Sequence, residues 1–138
     1  MNRDPLNLSR FAGPLHALLR IMTALSFISH GTMKLLGFPA ASAALGPMPV
    51  PLFSFMGAAG LLELVGGLLV MVGFFTRPVA FLLAGEMAVG YFIVHMPLGI
   101  IPATNNGEAA YLYTFIFLWL AAAGAGPLSL DNAGKTAA

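Results

Sequence analysis

Apolar residues fill four long stretches of the chain, and clusters of proline, glycine and polar residues separate them. The first stretch opens at Gly13-Pro14, with proline in the first turn where a helix accepts it, and runs to about Leu36. The pattern predicts further helices over about 52–74, 77–95 and 108–123, and a tail over 124–138. Each stretch approaches the ~20 residues that a helix needs to cross a bilayer. Phe38 to Pro51 breaks the pattern, because Pro39, Gly46, Pro47, Pro49 and Pro51 exclude a regular helix. This loop is apolar enough to lie in the membrane interface or to fold over one end of a bundle. The second and third helices are joined so closely that they form an antiparallel hairpin. Thr76 is the expected cap of the third, and Arg77-Pro78 opens it. Residues 1–12 read as a short polar leader. Ala41-Ser42-Ala43 has the small residues of a signal-cleavage site. The stretch before it, however, carries Arg20, His30 and Lys34, so it reads as a retained helix.

The polar residues within these helices are not scattered. At about 100° per residue, Arg20, Thr23, Phe27, His30 and Lys34 fall in one sector about 80° wide. A stripe of that kind argues for a bundle interior. On the second helix, Met56, Gly60, Glu63, Gly67 and Val70 share a face. Small residues there allow a neighbouring backbone to approach closely. The third helix has Glu86 near its middle and closes with His95 before Pro97. Ala80, Ala84 and Ala88 form a small-residue ridge on it that suits a contact with a second copy. Asn105 to Glu108 has the spacing of a capping box at the start of the fourth helix. Tyr111, Tyr113 and Trp119 suit an aromatic belt.

Composition excludes several chemistries. The chain has 59% hydrophobic and 8% charged residues, against roughly 25% charged in a soluble domain. It therefore reads as one all-α transmembrane domain over 1–138, with lipid as its first partner. A net charge of +1 implies no nucleic-acid partner. With no cysteine, disulfide, thiolate and iron–sulfur chemistry are out. No close histidine spacing supports a metal site, and phosphate loops, nucleophile elbows and haem-attachment motifs are absent. A stand-alone enzyme is not expected. Four crossings put both termini on one side, with Arg3, Arg10, Arg77 and Lys135 there and Lys34 near the other. The positive-inside rule then places both termini in the cytoplasm of a bacterial inner-membrane protein.

This topology assigns depths to the ionisable residues. Glu63 and Glu86 lie near the midplane, where a charge costs roughly 2.5–3.5 kcal/mol on insertion scales. Glu63 should therefore be protonated, paired or facing a polar cavity. His30, Lys34, His95 and Glu108 lie toward the outer face and Arg20 toward the cytoplasmic one. Simpler readings stand beside functional ones. Lys34 is expected to snorkel to the headgroups. Arg20 either snorkels or pairs with Asp131 or a buried carboxylate. Glu108 serves as a helix cap, and His95 is interfacial. As a set, Glu63, Glu86, His30, His95, Arg20, Lys34 and Glu108 are the candidate ligand-binding residues. Their chemistry suits proton relay, a hydrogen bond to a quinone carbonyl, or a small polar solute; no covalent cofactor is expected.

Six short motifs appear in order over about residues 15 to 131. They are Arg20; His30-Gly31-Thr32-Met33-Lys34-Leu35 with Gly37-Phe38; Glu63-Leu64-Val65-Gly66-Gly67; Gly73-Phe74-Phe75-Thr76-Arg77; Asn106-Gly107-Glu108 with Tyr111-Leu112-Tyr113; and Gly124-Ala125-Gly126-Pro127-Leu128-Ser129-Leu130-Asp131. On these the chain resembles the DoxX family of small four-helix bacterial membrane proteins. Pro127 departs from the pattern, since a basic residue is common there, and this removes one partner for Asp131. The resemblance implies ties to electron transfer, through relatives linked to a thiosulfate:quinone oxidoreductase or to oxidative-stress assemblies. Carried over by position, it implies Arg20, His30, Lys34, Glu63 and Glu108 as the shared polar set. The expected function is a membrane subunit or ligand-binding protein in a redox process, with quinone as ligand. The alternatives are a small-solute or proton transporter, acting as a homo-oligomer, and a membrane anchor for a soluble oxidoreductase.

Overall fold

The computed structural model describes residues 6–42 and 46–134. Arg3 and Lys135, two of the charges counted for topology, and Ala43 of the cleavage-like triplet lie outside them. Among the described residues there are four α-helices and no strand: α1 (Ala12–Leu36), α2 (Phe55–Val72), α3 (Thr76–Gly90) and α4 (Glu108–Ala123). α1 packs along α2, and α3 along α4. α2 meets α3 over a smaller contact, and α1 meets α4 through side chains, with Phe27 against Tyr113 and Phe117. The bundle is thus two tight pairs joined more loosely. His16, near the start of α1, bonds to the carbonyl of Gly124 beyond the end of α4, so the start of α1 and the end of α4 lie at one end of the bundle.

Among the described residues, three helical stretches are long and apolar enough to cross a membrane: Leu8–Leu36, Phe55–Val72 and Thr76–Leu98. α4 has 16 residues, about 24 Å at 1.5 Å per residue, and runs beside α3. The outward faces are apolar, with Leu18, Leu25, Leu68, Phe81, Leu82 and Phe115 all exposed. Such a surface is sustained by lipid rather than by water. The interior combines small and aromatic residues. Ala24, Phe27, Val70, Ala80, Leu83, Phe117 and Leu120 form the core, and Phe27 sits edge-on to Phe117 at 4.8 Å.

Glycine sets the distance between α1 and α2. A Cβ on Gly31 would lie 2.6 Å from the Leu64 nitrogen and 2.8 Å from the Gly60 carbonyl oxygen. One on Gly60 would lie 2.9 Å from Cβ of Lys34. The backbones touch where only glycine fits, as small-residue membrane contacts allow. Gly31→Ala is therefore expected to force the pair apart and to lower stability by about 1–3 kcal/mol. Reversible unfolding in mixed micelles would measure this.

Several local expectations need correction. α2 begins at Phe55 rather than near residue 52, because Ser54 caps it: its Oγ accepts from the Gly57 N–H at 3.0 Å. α2 stops at Val72, before Gly73 in the left-handed region. Thr76 does not cap α3. Phe75 occupies the cap position, and the Asp131 carboxylate accepts from the N–H groups of Phe75 and Thr76, both at 2.9 Å. A residue from the tail thus supplies the cap, since Thr76 is already within the helix. Asp131→Ala should cost about 1 kcal/mol, in line with other N-cap losses, and thermal unfolding would detect it. α3 ends at Gly90, and the chain continues as a π-helical turn over Tyr91–His95. The ridge proposed for a second copy is used internally, because Ala80 and Ala84 are buried against the chain's own core.

Candidate functional site

The interior charges gather on α1, α2 and α3. Lys34 Nζ donates to Glu63 Oε1 at 2.5 Å. Lys34 does not snorkel, contrary to expectation. The Gly31–Gly60 approach lays its stem over α2, and Glu63 waits one turn further along. Pairing costs less than bringing either charge alone into an apolar interior. Glu63 is 2% exposed, and its Oε2 finds no hydrogen-bond partner in the protein. Glu86 reaches the same region from α3. Both its oxygens are buried without a protein partner, and the charges of Glu63 and Lys34 act on it. Three buried carboxylate oxygens, one on Glu63 and two on Glu86, thus remain without a protein partner.

His30, one turn before Lys34, extends this region toward α4. Its ring is edge-on to Tyr113, with centroids 6.2 Å apart. Tyr113 Oη donates to Ser26 Oγ at 2.5 Å, tying α4 to α1. Beside this tie, Met22, Thr23, Ala109, Leu112, Tyr113 and Ile116 line an open apolar groove of about 400 Å³ between the two helices.

Arg20 lies elsewhere, toward the end where α1 starts and α4 stops. It is fully buried. Nη1 donates to the Ala125 carbonyl at 2.7 Å and Nη2 to that of Leu128 at 2.6 Å. The charge of Asp131 acts favourably on it. Arg20 is held by the tail, which folds across the bundle end and offers its guanidinium two carbonyls. His16 Nε2 is 2.9 Å from the Gly124 carbonyl, and Trp119 Nε1 donates to His16 Nδ1 at 3.3 Å. These two contacts require the tautomer protonated at Nε2. Arg77 donates to the carbonyls of Ala121, Ala122 and Ala123, closing the C-terminus of α4, where a cation also meets the helix dipole favourably.

His95 sits in the segment that joins α3 to α4, and Glu108 opens α4. His95 Nδ1 is 3.3 Å from the Asn105 carbonyl. Asn105 is buried, donating to Gly99 O at 2.6 Å and to Tyr91 Oη at 3.2 Å and accepting from Gly107 N at 2.8 Å. The expected capping box does not form. Gly107 is the cap residue and has no side chain to cap with, while the Asn105 amide oxygen accepts from the Gly107 N–H, ahead of the helix. Glu108 is exposed in the first turn of α4. His16 and Tyr91 were not singled out from sequence, and Asn105 only as a capping residue. His16 could have been, since it precedes Arg20 by one turn on the same stripe. Among the described residues, no group of three or more His, Asp or Glu is placed to hold a metal ion.

An all-helical bundle with an apolar exterior and a buried, incompletely matched charge cluster defines a small multi-pass membrane protein. The chain belongs to the DoxX family: the family model described as DoxX matches residues 15–96, more than half its length. It is 40% identical over 130 residues to a protein of Haemophilus influenzae whose name states no activity, covering 91% of this chain and 95% of that one. It is 32% identical over 114 residues to a Bacillus subtilis protein named "Putative oxidoreductase CatD", covering 83% of this chain and 82% of that one. No solved structure matches the chain.

Proposed function

We propose that this protein is an integral-membrane component of a redox process and binds a quinone-type ligand at Lys34, Glu63 and Glu86. The observation that carries this reading is the set of three buried carboxylate oxygens without protein partners. An unmatched buried acceptor costs about 1–3 kcal/mol, and a bound ligand relieves that cost. The apolar groove between α1 and α4 supports a ligand that arrives from the lipid phase with an apolar tail. The oxidoreductase name of the Bacillus relative supports the redox association, and a soluble oxidoreductase is the partner this role calls for. Both termini face the cytoplasm of a bacterial inner membrane in this proposal, which accessibility labelling of each terminus would test.

The test of the ligand starts from protein purified gently from its native membrane. Solvent extraction should release quinone in stoichiometric amount from wild type and only lipid background from Glu63→Ala. Background levels in both proteins would reject the proposal. A second reading, proton or small-cation transport, is favoured by the same cluster, in which two carboxylates face one lysine. Solute and proton flux in liposomes separates the two.

A further inference from the structure

We propose that the two loops at the end of the bundle opposite the tail lie in the interfacial layer of the bilayer, so that this end of the protein binds lipid rather than projecting into water. The proposal is independent of which ligand the charge cluster holds. One loop joins α1 to α2 and the other joins α3 to α4. The contact of His16 with Gly124 fixes the opposite end, so both loops lie at the far one. No Asp, Glu, Lys or Arg stands between Lys34 and Glu63, or between Glu86 and Glu108. The tail end, by contrast, carries Arg10, Arg77 and Asp131. Phe38, Leu52 and Phe53 on the first loop and Leu98, Ile100 and Ile101 on the second are exposed, Phe53 completely. A first loop folded over the bundle would have covered Phe38 and Phe53. Large apolar side chains gathered at one uncharged end mark a surface that meets lipid or a partner. A soluble partner would find no charge there to steer it or fix its register, whereas a lipid layer needs none.

The backbone separates lipid from water. In water the free N–H and C=O groups of a loop are solvated; away from water they need partners within the protein. Both loops supply them. Pro39, Pro47, Pro49 and Pro51 remove four N–H donors from the first. Its Val50 N–H donates to the Lys34 carbonyl at 2.8 Å, meeting a group left open at the end of α1, and its Ser54 N–H donates to the Pro51 carbonyl at 3.0 Å. In the second loop Asn105 Nδ2 donates to Gly99 O at 2.6 Å, Tyr91 Oη to Ile100 O at 2.9 Å and the Thr104 N–H to Ile101 O at 3.0 Å. His95 Nδ1 lies 3.3 Å from Asn105 O. Asn105 is 1% exposed: a buried amide is spent on pairing the backbone of a loop whose own apolar side chains face outward. Depth agrees with this. The stretch Thr76–Leu98 has 23 residues, about 34 Å at 1.5 Å per residue, so it crosses the ~30 Å hydrocarbon core and ends just beyond it. Exposed Glu108, in the first turn of α4, then stands at that boundary, within reach of headgroup water.

The chain has no cysteine, so single-cysteine variants of the full chain carry one spin label each. Phe53→Cys and Ile100→Cys report the loops, and Phe115→Cys on α4 is the lipid-facing reference. All three side chains are exposed, so the changes take nothing from the core. Each variant is placed at one copy per phospholipid nanodisc, and the collision rates of the label with oxygen, which concentrates in the bilayer, and with a water-soluble nickel chelate are compared. Oxygen collisions are expected to exceed chelate collisions at Phe53 and Ile100, by less than at Phe115, because the interface is shallower than the core. Chelate collisions in excess at the loops would place them in water and overturn the proposal. A label shielded from both reagents would mean a protein cover and would overturn it too. In Asn105→Ala the unpaired carbonyl of Gly99 should draw the second loop toward water. The Ile100 label should then shift toward the chelate while the Phe53 label, which also reports that the bundle is intact, stays in place. An unchanged Ile100 label would overturn the role given to Asn105.

Discussion

Lys34→Met alone is expected to destabilise the bundle by about 3–5 kcal/mol, because it leaves Glu63 buried without its counter-charge. Glu63→Gln should be costly in the same way, since the Lys34 ammonium then loses its only carboxylate bond at 2.5 Å. The double variant Lys34→Met/Glu63→Gln should recover much of the loss, as apolar or neutral replacement of a whole buried pair often does. Unfolding in mixed micelles measures all three, and the coupling energy from the cycle is the decisive quantity. Additive single effects would show that the contact contributes nothing beyond its two ends. The expected non-additivity follows from geometry. Gly31 and Gly60 bring α1 and α2 close enough that Cβ of Lys34 lies directly over Gly60, one turn from Glu63.

Arg20→Met is expected to release the tail. The guanidinium makes two charge-assisted bonds to Ala125 and Leu128, each worth about 1.5–3 kcal/mol, so a loss of about 3 kcal/mol or more is anticipated. Arg20→Lys should not restore it, because a single ammonium cannot span two carbonyls with a fork geometry. The distinguishing readout is limited proteolysis. Residues 124–134 should become sensitive at once in Arg20→Met, while the helices resist until the bundle unfolds. Asp131 reinforces the same lock by capping α3, so Asp131→Ala should loosen the tail to a smaller degree. If both variants keep the tail resistant, the tail is held by its apolar contacts instead. The far end of the bundle is closed differently. There Asn105 organises the loop through its own hydrogen bonds.

The four helices were legible because their signals are local. Twenty or so apolar residues between prolines and glycines leave few other structures in a bilayer. The inward stripe of Arg20, Thr23 and Phe27 was legible too, since a helical period places them on one face, and all three are buried. Periodicity likewise put Gly60, Glu63, Gly67 and Val70 on the buried face of α2, although Met56 lies outside it. The partners of these residues were not legible. Whether Lys34 meets headgroups or Glu63 depends on how closely α1 and α2 approach and on their rotation, and neither is written in one helix's pattern. Arg20 bonds to backbone carbonyls more than a hundred residues away, and every residue has such a carbonyl, so no side-chain type announces the match. Asp131 in place of Thr76 as the cap of α3 has the same origin: local spacing names the residue that could cap, while the folded tail supplies the one that does. Sequence alone therefore established the membrane class, the helix count and the inward faces, because these follow from short-range hydrophobic periodicity. The pairing of Lys34 with Glu63, the unmatched oxygens of Glu86 and the lock of the tail on Arg20 came only with the packed bundle, because they depend on distances between segments far apart in the chain.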